Sequence, residues 1–225
     1  MRRLAGSSSA CYPTPMPDAP ARRARLRGLY AIVARPDEAA AAISGGAAVV
    51  QVRLKDAPAG EVLRVAREIV ALARGRALVL VNDRADLALL SGADGVHVGD
   101  EDLPVPEARR LLGPDLLVGR TTRTLAEGRL AVAEGADHVG FGPIFATTTK
   151  ALAVPPRGLD PLREVSAALG APVVAIGGIG ADTIADVAGA GAACAAVVGA
   201  IFGKGDPVEN ARRLAAAFEA GGGAR

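Results

Sequence analysis

The sequence predicts a closed (β/α)8 TIM barrel forming a single domain over residues 28–225, and three observations carry that prediction. Short β-branched runs alternate with amphipathic, alanine-rich stretches from Gly28 onward, the pattern of right-handed βαβ units around a parallel sheet. Eight strand candidates fit into about 200 residues, the compact limit for this barrel. A glycine–alanine–acid turn also recurs, in "SGADGVHVG", "EGADHVGFG" and "GADTIADVAGAGAACAAVVG", as a barrel of duplicated units would show. An open doubly wound sheet is the alternative, but its usual ~5–6 strands leave two units unplaced.

The elements follow in order. "GLYAIVA" (28–34) is the first strand, and Pro36 sits near the start of the helix after it, where a missing N–H costs little. "AVVQVRL" (48–54) ends in Gln51, Arg53 and Lys55, ahead of a helix over 61–74. "ALVLVN" (77–82) ends in Asn82 and Asp83, and "DGVHVG" (94–99) runs into Asp100, Glu101 and Asp102, with Pro104 close behind. "DLLVGR" (115–120) delivers Thr121, Thr122 and Arg123 before a helix over 124–135. "DHVGFG" (137–142) leads to Thr147, Thr149 and Lys150, then a helix over 160–169. "PVVAIGG" (172–178) enters "GGIG" and a helix over 181–190. "AACAAVVG" (192–199) enters "GAIFGKG", and Pro207 opens a helix over 207–220.

Composition narrows the function. Half the residues are apolar and only 3% aromatic, ample for a core but poor for stacking on bases. The net charge of +2 comes from the first 27 residues, which hold six arginines against Asp18; from residue 28 onward 20 basic residues face 23 acidic ones. A slightly acidic body without a basic, aromatic face argues against a nucleic-acid partner. Residues 1–27, rich in Ser, Pro and Arg, read as a disordered extension without the apolar core of a secretory signal. No run approaches the ~18 apolar residues of a membrane span. Cys11 and Cys194 lack metal-ligand spacing and form no disulfide framework, so the expected setting is the reducing cytoplasm.

Barrel enzymes work from the loops at the C-terminal ends of their strands, and here those ends are polar. Gln51, Arg53 and Lys55 alternate, so period two points them to one side, where two cations need an anionic partner. Asp83 and Asp102 leave neighbouring strands and together suit a hard cation such as Mg2+, although Asp83 reads equally as a helix N-cap. "AIGGIGADT" offers backbone N–H groups at a helix start, a phosphate cradle placed where barrels commonly keep one. His97 and His138 read as packing or turn histidines. No nucleophile–base pairing is visible, so the chemistry expected is the handling of a diphosphate or of two phosphorylated substrates.

Taken together, "QVRLK", "VNDRADLALLSGADGVHVGDEDLP", "VGRTTRTLAE", "EGADHVGFGPIFATTTK", "PVVAIGGI" and "AVVGAIF" resemble the thiamine phosphate synthase family, in family order over about residues 28–220. The resemblance implies a transferase that joins a hydroxymethylpyrimidine diphosphate to a thiazole phosphate, releasing pyrophosphate. It implies that Gln51, Arg53, Lys55, Asn82 and Lys150 hold the pyrimidine diphosphate and that Asp83 and Asp102 ligate Mg2+. It further implies that Thr147, Thr149, Gly178, Val198 and Gly199 hold the thiazole phosphate, while Thr121 stands where the family has a serine at the diphosphate or reacting centre. The groups expected to carry the chemistry are Arg53, Lys55, Thr121 and Lys150.

Asp100 replaces a common glutamine and adds charge beside the metal loop, and Gly199 replaces a common serine. The rivals are a thiazole tautomerase of the same fold, which would need a histidine where Arg123 stands, and a phosphate-binding barrel without turnover. A homo-oligomer is compatible with the sequence, and "TTTKALAVPPRG" has the length of a lid.

Overall fold

Eight parallel strands close on one another in chain order, β1 pairing with both β2 and β8, in the computed structural model, which describes residues 19–147 and 155–222. The strands are β1 (Gly28–Val33), β2 (Val49–Val52), β3 (Leu78–Asn82), β4 (Gly95–Val98), β5 (Leu117–Thr122), β6 (His138–Phe141), β7 (Val173–Ile176) and β8 (Cys194–Val197). Each is followed by helix. Helix α1 (Ala19–Ala24) precedes the barrel, and the others among the described residues are α2 (Pro36–Ser44), α3 (Ala59–Ala73), α4 (Ala85–Ser91), α5 (Val105–Leu112), α6 (Leu125–Ala133), α7 (Leu159–Ala168), α8 (Ile184–Gly189), α9 (Gly199–Phe202) and α10 (Pro207–Ala220). The TIM-barrel expectation holds.

Strand alternation sorts the apolar residues into two cores. Tyr30, Val49, Leu78, Leu80, Leu117, Val174, Cys194 and Ala196 fill the barrel interior, while residues such as Ala31, Val50, Val79, Val96 and Val118 face the helices. Each fully buried aliphatic side chain stabilises the fold by roughly 1.5–3 kcal/mol. Cys194 belongs to the inner core, and burial pushes its thiol far above the ordinary range. It is a packing residue; Cys11 lies outside the described residues.

Most element ends fall within a few residues of expectation, and two differences have a definite physical cause. Strand β5 was expected over 115–120 but runs to Thr122, because Thr121 and Thr122 pair with Gly140 and Phe141 of β6. Thr122 also donates its hydroxyl to the Gly140 carbonyl at 3.1 Å, and β-branched threonine suits that pleated position. The second difference is the extension, expected to be disordered over 1–27. From Ala19 it is ordered: α1 lies against the N-terminal end of the barrel, and residues 1–18 lie outside the described part.

Arginine pairing accounts for that docking. Arg22, with its side chain 1% exposed, meets Asp94 at 3.0 Å and donates to the Asp115 carbonyl at 2.8 Å. Arg23 meets Asp137 at 2.6 Å, and Arg109 binds the other oxygen of the same carboxylate. Both aspartates belong to the repeated glycine–alanine–acid turn, and both do the same second job. Asp94 accepts the Val79 N–H and Asp137 the Val118 N–H, each at 2.8 Å, tying the turn to the start of the preceding strand. Among the described residues no helix is long and apolar enough to cross a membrane.

Candidate active site

The opposite, C-terminal end is the mouth, and period two decides what faces it. Val49 points into the barrel, so Gln51 and Arg53 do as well. Gln51 is 4% exposed and donates its amide to the Tyr30 hydroxyl at 2.7 Å. That bond fixes the amide of a residue that would otherwise be a buried, unspecified polar group. Burial raises the Tyr30 phenol well above its ordinary range, so it stays protonated. Arg53 is half-buried and Lys55, past the strand end, is exposed.

Asn82 closes β3 opposite His97 of β4, and Asp83 follows in the left-handed region at φ 63°. An aspartate is among the few residues that tolerate that conformation, and its N–H donates to the His97 carbonyl at 2.8 Å. Asp83 does not cap α4: Arg84 holds the N-cap position, with no side-chain cap bond. Of its two expected roles the cap therefore falls.

The Asp83 carboxyl is pushed up to about 6, first by burial and then by its hydrogen bond to Asp102 and the charge of Asp102. Arg53 and a hydrogen bond from Asn82 pull in the other direction. Asp102 is held in turn, accepting the Gly99 N–H at 2.6 Å. A cavity of about 380 Å³ opens beside the pair, with Asp86 and Glu101 also on its wall. Among the described residues no group of three or more His, Cys, Asp or Glu side chains could hold a metal ion. Two converging carboxylates are nevertheless what Mg2+ commonly takes from a protein, with substrate oxygens and water completing its shell. Their mutual repulsion is what a cation relieves, so the donor set fits.

Asp100 was expected to add charge beside this loop. Instead its carboxylate is neutralised, 3.0 Å from Arg120 and bound to Arg123 as well. The pairing arises because Arg120 and Arg123 flank the strand-five threonines and reach back to the adjacent strand-four loop.

The histidines, expected as packing or turn residues, form a chain to Thr121. His97 Nε2 lies 3.0 Å from Thr121 Oγ1, and His97 Nδ1 lies 3.2 Å from His138 Nε2. Burial, the neighbouring ring and Arg120 lower His97 to about 3; burial and Arg23 lower His138 to about 4. Both rings are neutral near pH 7. Two glycines make the space: a Cβ on Gly119 would sit 2.1 Å from His138 Nε2, and one on Gly140 would sit 3.0 Å from His97 Cε1. The available signal was parity, since His97, Gly119, Thr121, His138 and Gly140 all fall on inward positions of adjacent strands. Tyr30 was missed for the same reason.

The side expected to take the thiazole phosphate is built by a close approach. Phe145 N–H donates to the Gly177 carbonyl at 3.0 Å, and Gly178, at φ 65°, would place a Cβ 2.3 Å from the Ala146 carbonyl oxygen. Any larger residue there would push the Thr147 loop off the turn after β7. Thr147 is half-buried beside that turn; Thr149 and Lys150 lie outside the described residues, as does most of the expected lid. The helix after the turn, α8, starts at Ile184 rather than at 181, because Thr183 Oγ1 accepts the Gly180 N–H at 3.0 Å and closes a turn first. Val198 is the N-cap of α9, and a Cβ on Gly199 would meet nothing within 4 Å. A serine would fit there, so the glycine removes a hydroxyl and changes nothing else in the packing.

Closed parallel topology, with the polar strand ends gathered at the C-terminal mouth, defines a (β/α)8-barrel enzyme. The family pattern described as thiamine monophosphate synthase matches residues 29–201, and the chain belongs to that family. It is 72% identical to the thiamine-phosphate synthase of Anaeromyxobacter dehalogenans, over 91% of this chain and 93% of that protein. It is 49% identical to the one of Myxococcus xanthus, over 91% of this chain and 98% of that protein. Among solved structures, the thiamine phosphate pyrophosphorylase of Pyrococcus furiosus superposes with a TM-score of 0.80 at 34% identity, covering 88% of this chain and 98% of that one.

Proposed function

We propose that this chain is a thiamine-phosphate synthase, a transferase of thiamine biosynthesis that joins a hydroxymethylpyrimidine diphosphate to a thiazole phosphate and releases pyrophosphate. The observation that carries the reading is the carboxylate pair of Asp83 and Asp102, held in repulsion beside Arg53, because two converging carboxylates suit Mg2+ while the neighbouring guanidinium suits the diphosphate it would carry. Family membership and the 72% identity to a synthase agree with it.

In this reading the C–O bond to diphosphate breaks with its electron pair leaving on the diphosphate. The amino-substituted ring stabilises the methylene cation left behind, and the thiazole nitrogen lone pair closes the new C–N bond. The protein's share is electrostatic and positional. Arg53, Lys55 and Lys150 stabilise the departing charge, while Gln51, fixed by Tyr30, and Asn82 orient the pyrimidine substrate. Thr147, Thr149 and the backbone at Gly178, Val198 and Gly199 hold the thiazole phosphate. Asp83 and Asp102 would hold Mg2+, which when bound neutralises charge on the diphosphate oxygens. The tautomerase alternative needs a histidine in the strand-five loop, where Arg123 is instead engaged with Asp100.

The test is to incubate both substrates with the protein, with and without Mg2+, and to quantify thiamine phosphate and pyrophosphate. Equimolar formation of both, abolished by chelation, is expected. Absence of both products with every divalent metal tried would overturn the reading.

A further inference from the structure

We propose that His138 and His97 are positioning residues, a hydrogen-bonded relay that fixes the Thr121 hydroxyl as a hydrogen-bond donor into the mouth. The relay itself follows from the geometry; its effect on turnover rests on the synthase reading above.

Each contact in the chain His138 Nε2, His97 Nδ1, His97 Nε2, Thr121 Oγ1 has room for one proton, at 3.2 and 3.0 Å. A neutral imidazole carries one N–H, so only two arrangements satisfy both contacts. In the first, His97 Nδ1–H donates to His138. His138 must then carry its own proton on Nδ1, and Thr121 must donate inward to His97, offering an anion only lone pairs. In the second, His138 Nε2–H donates to His97 Nδ1, and His97 Nε2–H donates to Thr121. The threonine hydroxyl then has its proton free to point at an anionic oxygen.

The far end of the chain decides between them. His138 Nδ1 is buried with no hydrogen-bond partner. An orphaned buried N–H is rarer and costlier than an unsatisfied lone pair, so the bare Nδ1 of the second arrangement is favoured. Thr122, next along the strand, shows the contrast: its hydroxyl proton is already committed to the Gly140 carbonyl. Thr121 is the strand-five threonine whose proton the second arrangement leaves available to a ligand.

The chain has two histidines, so long-range 15N–1H correlation spectra of the histidine-labelled, unmodified protein read both rings directly. Both are expected to carry their proton on Nε2; a proton on Nδ1 of either ring overturns the proposal. In His138→Phe the remaining ring is expected to become a mixture of tautomers, and an unchanged His97 spectrum would remove His138 from the relay. In turnover, Thr121→Val and His97→Phe should each lower kcat by about 10- to 100-fold, with KM moving much less. Thr121→Ser should retain most activity, and the double variant should be no slower than the slower single one. Losses that multiply would show that the two act independently and sink the coupling. Should the unmodified protein form no thiamine phosphate, the synthase reading fails while the ring spectra still judge the relay.

Discussion

Both ends of this barrel gather aspartates and arginines, and they use them in opposite ways. At the N-terminal end Asp94 and Asp137 are saturated: each accepts a strand N–H and an arginine from α1, and Asp137 takes Arg109 as well. At the mouth Asp83 and Asp102 face each other, and the carboxyl of Asp83 is driven up to about 6. A carboxylate whose acceptor sites are filled by its own chain holds structure together. One left in repulsion holds capacity in reserve for a ligand. The sequence spells both with the same residue type just outside a strand, and only the partners distinguish them.

The largest effect should come from breaking the mouth pair. Asp83→Asn should lower Mg2+-dependent turnover by about 100-fold or more, since a metal's share of charge stabilisation is several kcal/mol. Its melting temperature without metal should not fall, because the substitution removes a repulsion. A variant that loses activity and stability together would place Asp83 among the structural carboxylates.

Asp137→Asn should show the reverse. With a side chain only 4% exposed and two arginines left facing it, the loss should be about 3 kcal/mol of unfolding free energy in denaturant titration. The kcat per folded molecule should stay near that of the unmodified protein.

The smallest effect is the pH dependence of the mouth. A carboxyl raised in the folded state favours the protonated form, so its contribution to stability is complete below the unfolded value of about 3.9 and is lost as pH rises through about 6. Mg2+ should offset that loss. The rise in melting temperature on adding Mg2+ should therefore be near zero at pH 4, grow through pH 6 and level off above it. A pH-independent rise would mean that the cation binds elsewhere.

The barrel was legible because strand and helix periods differ so plainly and each unit repeats. The inward parity of Gln51 and Arg53 was legible for the same reason. What escaped was pairing at a distance. Nothing near Arg22 announces Asp94, 72 residues away, so a basic segment that docks under the barrel read as a disordered tail. The histidines escaped because a ring's role depends on the glycines across from it, on neighbouring strands distant in the chain. Strand β5 lies two residues later than its apolar run suggests, because β-branched threonines continue a strand whose polarity alone resembles a loop.

Gly119 has an evolutionary consequence. A Cβ there would sit 2.1 Å from His138 Nε2 and 2.6 Å from His97 Nδ1, so position 119 is not free to drift while either ring stands. Descendants that lose both rings gain latitude at 119, and once that space is filled, restoring the histidines requires restoring the glycine as well. The loss of the ring pair is thus a ratchet, and residues 97, 119 and 138 should be inherited as one character.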